Sequence, residues 1–132
     1  LQRKGQVVLS QFDFLKKHYN ELPKCMKGCY LNTPASANLF KQSSNNKALD
    51  PERTEKYHKI TAKTLWLSQR SRPDVQLATG YHCTKVTCPT KQDWKKLTWL
   101  MQYLWKTCFI PLIIEITEKG AIIYIWCTCS TL

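Results

Sequence analysis

The side chains best equipped for chemistry are nine carboxylates, three histidines and seven cysteines in a chain of 132 residues. Two-metal phosphoryl transfer needs carboxylates in close array. Asp13, Glu21, Asp50, Glu52, Glu55, Asp74, Asp93, Glu115 and Glu118 form no such array in the sequence. Asp13, Asp50, Asp74 and Asp93 also stand where helices are expected to start, and capping alone accounts for a carboxylate there. Zinc prefers cysteines two to four apart, followed by a second matching pair or a histidine pair. Cys25 and Cys29 are separated by three residues, Cys83 and Cys88 by four, and Cys127 and Cys129 by one. Cys25, Cys29, His82 and Cys83 make four ligands on paper, but the irregular spacing argues against zinc. An odd cysteine count with no secretory signal points instead to reduced thiols in an intracellular protein, cytoplasmic or nuclear. There is no Gly-rich phosphate loop, nucleophile elbow or metal-spaced histidine pair. The expectation is therefore no catalytic residue, no metal and no cofactor.

Cations are the more telling residues. The chain carries 20 Lys+Arg against 9 Asp+Glu, a formal net charge of +11. The excess is spread over both halves rather than gathered in a tail. A phosphate backbone is one partner that such a surface suits, and a soluble domain that happens to be basic is the plain alternative. Trp66 lies near Lys63 and Arg70, and Trp94, Trp99 and Trp105 lie among Lys91, Lys95, Lys96 and Lys106. Lysines on phosphates with rings against sugars or bases would fit a nucleic-acid-tracking surface. The helical spacing of Trp94 and Trp105 favours a core role for those two, and the balance is closer to even for Trp66 and Trp99.

Hydrophobic residues at 43% and charged residues at 22% exclude a disordered chain. The length suits one ordinary domain or parts of two, and no apolar run reaches the ~20 residues of a membrane span. Gly5 to Ser10 reads as a short strand, and Ser10 is the expected N-cap of a helix ending before Pro23. Residues 24–50 read as an extended surface connection, with Leu39 and Phe40 pinning it, that bridges two structural units. Asp50-Pro51-Glu52 starts a helix, and Arg72-Pro73-Asp74 breaks it and begins another. Thr90-Lys91-Gln92-Asp93 is a capping box for a helix running to about Lys106. Ile110–Ile116 and Ala121–Cys127 form a hairpin with Gly120 at a position needing positive φ. That hairpin, with two edges and no further strand in view, looks truncated. Leu1 is not Met, and the chain is expected to be a piece of a longer one. The fold class is α+β: mainly helical, about four helices, with a short N-terminal strand and a C-terminal β-hairpin.

The run Tyr57-His58-Lys59-Ile60 through Ala62-Lys63-Thr64-Leu65 to Arg70-Ser71-Arg72-Pro73-Asp74 and Ala78 resembles the stretch after the polymerase palm in copia-type retrotransposon polyproteins. Cys83-Thr84-Lys85-Val86, Pro89-Thr90, Asp93-Trp94-Lys95-Lys96-Leu97 and Gln102-Tyr103-Leu104-Trp105-Lys106-Thr107 continue in register. Upstream, Gly5-Gln6-Val7-Val8-Leu9 and Thr33-Pro34-Ala35 are similar to the family's palm exit strand and linker, so the likeness covers nearly the whole chain.

The resemblance implies a reverse transcriptase (RNA-directed DNA polymerase) thumb and connection region running into ribonuclease H. Residues 1–23 would be the end of a palm-like strand and helix, and 24–50 a linker. Residues 51–107 would be the helical thumb/connection, and 108–132 a truncated start of the ribonuclease H-like sheet. The family's catalytic Asp-Asp turn lies upstream of the matching segment and is absent here. Thr128 stands at the position of the first ribonuclease H metal ligand, and threonine brings no charge to hold Mg²⁺. The parent polymerase uses Mg²⁺; this chain would use none and would not be an enzyme as it stands. That departure implies a decayed copy, or an end frameshifted after about Tyr124. In the family this region grips primer–template duplex, so Lys63, Arg70, Arg72, Lys95 and Lys96 are the expected phosphate contacts. The partners would be RNA–DNA or DNA duplex and the remainder of a polyprotein, with no membrane. The alternatives are a domesticated or decayed remnant serving as a small protein-interaction module, or no function.

Overall fold

The β-prone runs at the two ends of the chain, around Val7-Val8 and Ile113-Ile114, lie side by side in the computed structural model. The structure describes residues 2–3, 5–27, 31–44, 47–117 and 119–125. Cys29, Cys127, Cys129 and the Thr128 position lie outside the described residues. Strand β1 (Gln2–Arg3) pairs with β2 (Gln6–Leu9), and Gly5 turns the chain between them at φ 75°. Strand β3 (Leu112–Thr117) pairs with β4 (Gly120–Ile125), with Gly120 at φ 135° closing the hairpin as expected. Side chains rarely tolerate that φ region, so both turns favour glycine. The four strands form one antiparallel sheet in the order β1-β2-β3-β4, with Val7 opposite Ile114 and Leu9 opposite Leu112. This corrects the expectation of a hairpin without a partner: β2, from the other end of the chain, fills the edge of β3. Alternating residues show that a strand exists but not which distant strand it meets.

Helix α1 (Phe12–Glu21) starts from Gln11 without a side-chain cap, and not from Ser10. Helix α2 (Pro51–Arg70) begins as the sequence implies, with Asp50 at the cap and Pro51 where no N–H is needed. Ser71 ends it, a 3₁₀ turn spans Pro73–Val75, and α3 (Gln76–Thr84) follows. Helix α4 (Lys91–Lys106) has the full capping box: the Thr90 hydroxyl accepts from Asp93 N at 3.3 Å, and Asp93 accepts from Thr90 N at 3.0 Å. Tyr57, Ile60 and Leu67 of α2 join Ala78 of α3 and Leu97, Leu100, Met101 and Leu104 of α4 in one core. Leu15 adds α1 to it, and Tyr19 of α1 stacks on Trp105 of α4 with ring centroids 4.0 Å apart. The architecture is α+β, as expected.

Residues 31–43, read from sequence as a surface connection, are a strap bound along α4. Lys106 donates to the Asn32 side-chain oxygen, and Trp99 Nε1 donates to Thr33 O at 2.8 Å. Lys96 Nζ donates to Leu39 O at 2.7 Å and Lys41 O at 2.8 Å, and Ser43 N donates to Gln92 Oε1 at 3.2 Å. The strap thus runs antiparallel to the helix. Leu39 is buried, as the sequence suggests, whereas Phe40 is 63% exposed and meets Tyr81 edge-on. Among the described residues no helix is long and apolar enough to cross a membrane.

Candidate nucleic-acid interface

Along α2, residues 56, 59, 63, 66 and 70 follow one another at steps of three and four, which places them on one helical face. They are Lys56, Lys59, Lys63, Trp66 and Arg70, and at 1.5 Å per residue the row is about 21 Å long. The buried positions Tyr57, Ile60, Thr64 and Leu67 fix how α2 is rotated, so the row is held at the surface beside α1. Phe14 of α1 packs on Trp66 at 4.6 Å between centroids, and Arg70 lies 5.5 Å from the same indole. That leaves Trp66 40% exposed, held from one side and fringed by a cation.

Each lysine of the row has a carboxylate neighbour. Lys56 meets Glu52 and Lys59 meets Glu55, both at 2.7 Å one turn back along α2. Lys63 reaches across to Glu21 of α1. Hydrogen bonds from these lysines, followed by their charge, hold all three carboxyls below their ordinary pKa. All three pairs are solvent-exposed, where water screens the attraction and leaves each pair weak.

The five residues expected to contact phosphate fall into different settings. Lys63 and Arg70 lie on the α2 row, and Lys95 is exposed on α4. Lys96 is turned beneath the strap, bonded to two of its carbonyls and 3.1 Å from the Tyr81 hydroxyl. Arg72 is a correction: it is 2% exposed and cannot reach a phosphate. The Pro73 break folds its side chain inward. There Nε and Nη2 donate to Asp74 at 3.0 and 2.8 Å, and Nη1 and Nη2 donate to Thr107 O and Oγ1 at 2.8 and 2.6 Å. Tyr103 completes the clamp by donating to Asp74 at 2.8 Å. Burial pushes the Asp74 carboxyl up, but the bonds and charge of Arg72 outweigh it and hold the carboxyl below its ordinary range. Lys56 and Lys59, not among the residues expected from sequence, share the face of Lys63 and Arg70 through their three-and-four spacing.

Two further buried polar pairs link the helices. Tyr57 of α2 shares a 2.7 Å hydrogen bond with His82 Nδ1 of α3, and Tyr81 donates to Asp93 of α4 at 2.8 Å. Burial lowers the His82 pKa to about 4 and raises that of Tyr57, so both are neutral near pH 7. His82 is 1% exposed, which suits a link between helices rather than a group meeting substrate. Among the described residues no three His, Cys, Asp or Glu side chains are grouped to hold a metal ion. Comparison of the chain with protein-family models, curated proteins and solved structures finds no match in any of the three.

Proposed function

We propose that this protein grips the backbone of an RNA–DNA or DNA duplex without sequence preference, using the α2 row and no catalytic residues of its own. The observation that carries the reading is the alignment of Lys56, Lys59, Lys63 and Arg70 on one face with the half-exposed Trp66. A row of about 21 Å follows roughly 0.6 of a duplex turn. The charge of +11 favours the encounter electrostatically. The ordered likeness to copia-type polyproteins adds the context: a thumb/connection fragment of a retrotransposon reverse transcriptase, intracellular, working beside the rest of a polyprotein.

A labelled RNA–DNA hybrid titrated at several salt concentrations tests the proposal. Up to four phosphate contacts give a slope of log K against log salt of about −3 to −4. Absence of binding at low salt, or binding indifferent to salt, contradicts it. The interaction-module reading has one feature in its favour, the apolar surface where Leu77 is 70% and Phe40 63% exposed. Charge reversal at Lys59 and Arg70 separates the two, because only the duplex reading requires binding to be lost.

A further inference from the structure

Between the C-terminal half of α1 and the middle of α2 lies a cleft of about 210 Å³. His18 lines it, is 4% exposed, and neither ring nitrogen has a hydrogen-bond partner among the described residues. Such a side chain is costly to bury unpaired, so the cleft offers polar chemistry that the fold itself does not use. Lys56, Lys59 and Lys63 line the same cleft with Glu21, and Glu52 and Glu55 pair with the first two of these lysines at its rim. Leu22, Pro23 and Ile60 supply an apolar wall.

We propose that this cleft binds a phosphate monoester carrying a compact apolar or aromatic body. The phosphate rests on Lys56, Lys59 and Lys63, the body lies against Leu22 and Ile60, and the His18 ring, whose nitrogens are buried and unpaired among the described residues, turns to hydrogen-bond the ligand. A phosphate monoester carries about −1.5 to −2 charges near pH 7, more than the single charge of each carboxylate it would displace from these lysines. Lysine serves phosphate as a compact point charge that needs no fixed fork geometry. Glu52 and Glu55, which hold two of these lysines, are exposed and can swing aside. Burial, then the charge of Lys63, lowers the His18 pKa to about 4 while Glu21 opposes the shift, so the ring enters as a neutral hydrogen-bonding group. This inference goes beyond backbone gripping, although the two share three lysines. Two sources present the same chemistry, a free small ester and the 5′-phosphorylated end of a strand.

Calorimetric titration of the full chain at pH 7.5 with phenyl phosphate, inorganic phosphate and phenol tests the site. Phenyl phosphate is expected to bind at least about tenfold more tightly than either part alone. Lys59→Gln with Lys63→Gln is expected to weaken it by about tenfold or more, and His18→Phe to weaken it likewise. The lysine variants change exposed side chains, so the test survives if His18→Phe fails to fold. In proton NMR, saturation is expected to raise the His18 pKa, because the dianion adds to Glu21 in offsetting the charge of Lys63. Phenyl phosphate binding no tighter than inorganic phosphate, or unchanged in the lysine variants, overturns the proposal. With the site established, oligonucleotides bearing 5′-phosphate or 5′-hydroxyl identify the source. Tighter binding of the phosphorylated strand points to a strand end, and equal binding points to a free ester. A duplex without terminal phosphates reports on backbone gripping separately, so either reading can fail alone.

Discussion

Lys63-Thr64-Leu65-Trp66 on α2 and Lys96-Leu97-Thr98-Trp99 on α4 place a lysine and a tryptophan one turn apart on amphipathic helices. Their surroundings differ. Trp66 is backed by Phe14 and left 40% exposed, while Lys63 meets an exposed carboxylate. Trp99 donates to Thr33 O, and Lys96 is used up on the carbonyls of Leu39 and Lys41. One basic face is open to a partner, and the other is the anchor of a strap. A helix's own pattern decides which side is polar; a segment distant in sequence decides whether that side is available.

The two buried histidines extend the comparison, since His18 lies beneath the α2 row and His82 beside the Tyr81–Asp93–Lys96 group. Both have folded pKa values of about 4, below the ordinary 6.5. Between pH 6.5 and 4 the unfolded chain binds protons that the folded chain refuses, so stability falls as pH falls through that window. The expected slope is about 1.4 kcal/mol per pH unit for each histidine. Urea unfolding across the window measures it, and His18→Phe is expected to remove half of the slope; a flat profile in the parent chain breaks this account. Asp74, whose pKa is lowered, adds stability that is lost only at more acid pH.

Arg70 and Arg72 provide the next contrast, two residues apart with opposite fates. Arg72→Ala strands the partly buried Asp74 carboxylate and is expected to cost about 3 kcal/mol in urea unfolding. Arg70→Ala, at the surface, should stay within about 0.5 kcal/mol. Equal costs would mean that the clamp is not what holds the α2–α3 turn to the end of α4. Smaller still, Lys96→Ala is expected to cost about 1–3 kcal/mol through the lost strap bonds, against at most ~1 kcal/mol for Lys63→Ala. Faster amide exchange in residues 39–41 of the Lys96 variant would locate that loss.

Features set by near neighbours were legible in the sequence: the Thr90–Asp93 box, the Asp50–Pro51 start, the Pro73 break and the Gly120 turn. The N-cap falls one residue beyond Ser10, at Gln11, and the helix begins at Phe12. Pairing of β2 with β3 joins residues more than a hundred positions apart, and alternation carries no address. The strap was invisible for a related reason: it is held mainly by backbone carbonyls, which every residue possesses. Half of the candidate site was readable. Lys63 and Arg70 stood out beside Trp66, and periodicity extends the row to Lys56 and Lys59. Arg72 looked equivalent to Arg70 until Asp74 and Thr107 were seen to claim it.

The row on α2 is the gripping face, whereas the Lys96–Trp99 side of α4 is covered by the strap and its exposed lysines, Lys91 and Lys95, stand outside the grip. Duplex affinity measured against salt for two variants tests it most directly. One replaces Lys56, Lys59, Lys63 and Arg70 with Gln, and the other replaces Lys91 and Lys95 with Gln. The first is expected to lose most of its affinity and to flatten the salt slope by about 3, and the second to bind as the parent chain does. Loss confined to the α4 variant, or an α2 variant that binds unchanged, would contradict the account.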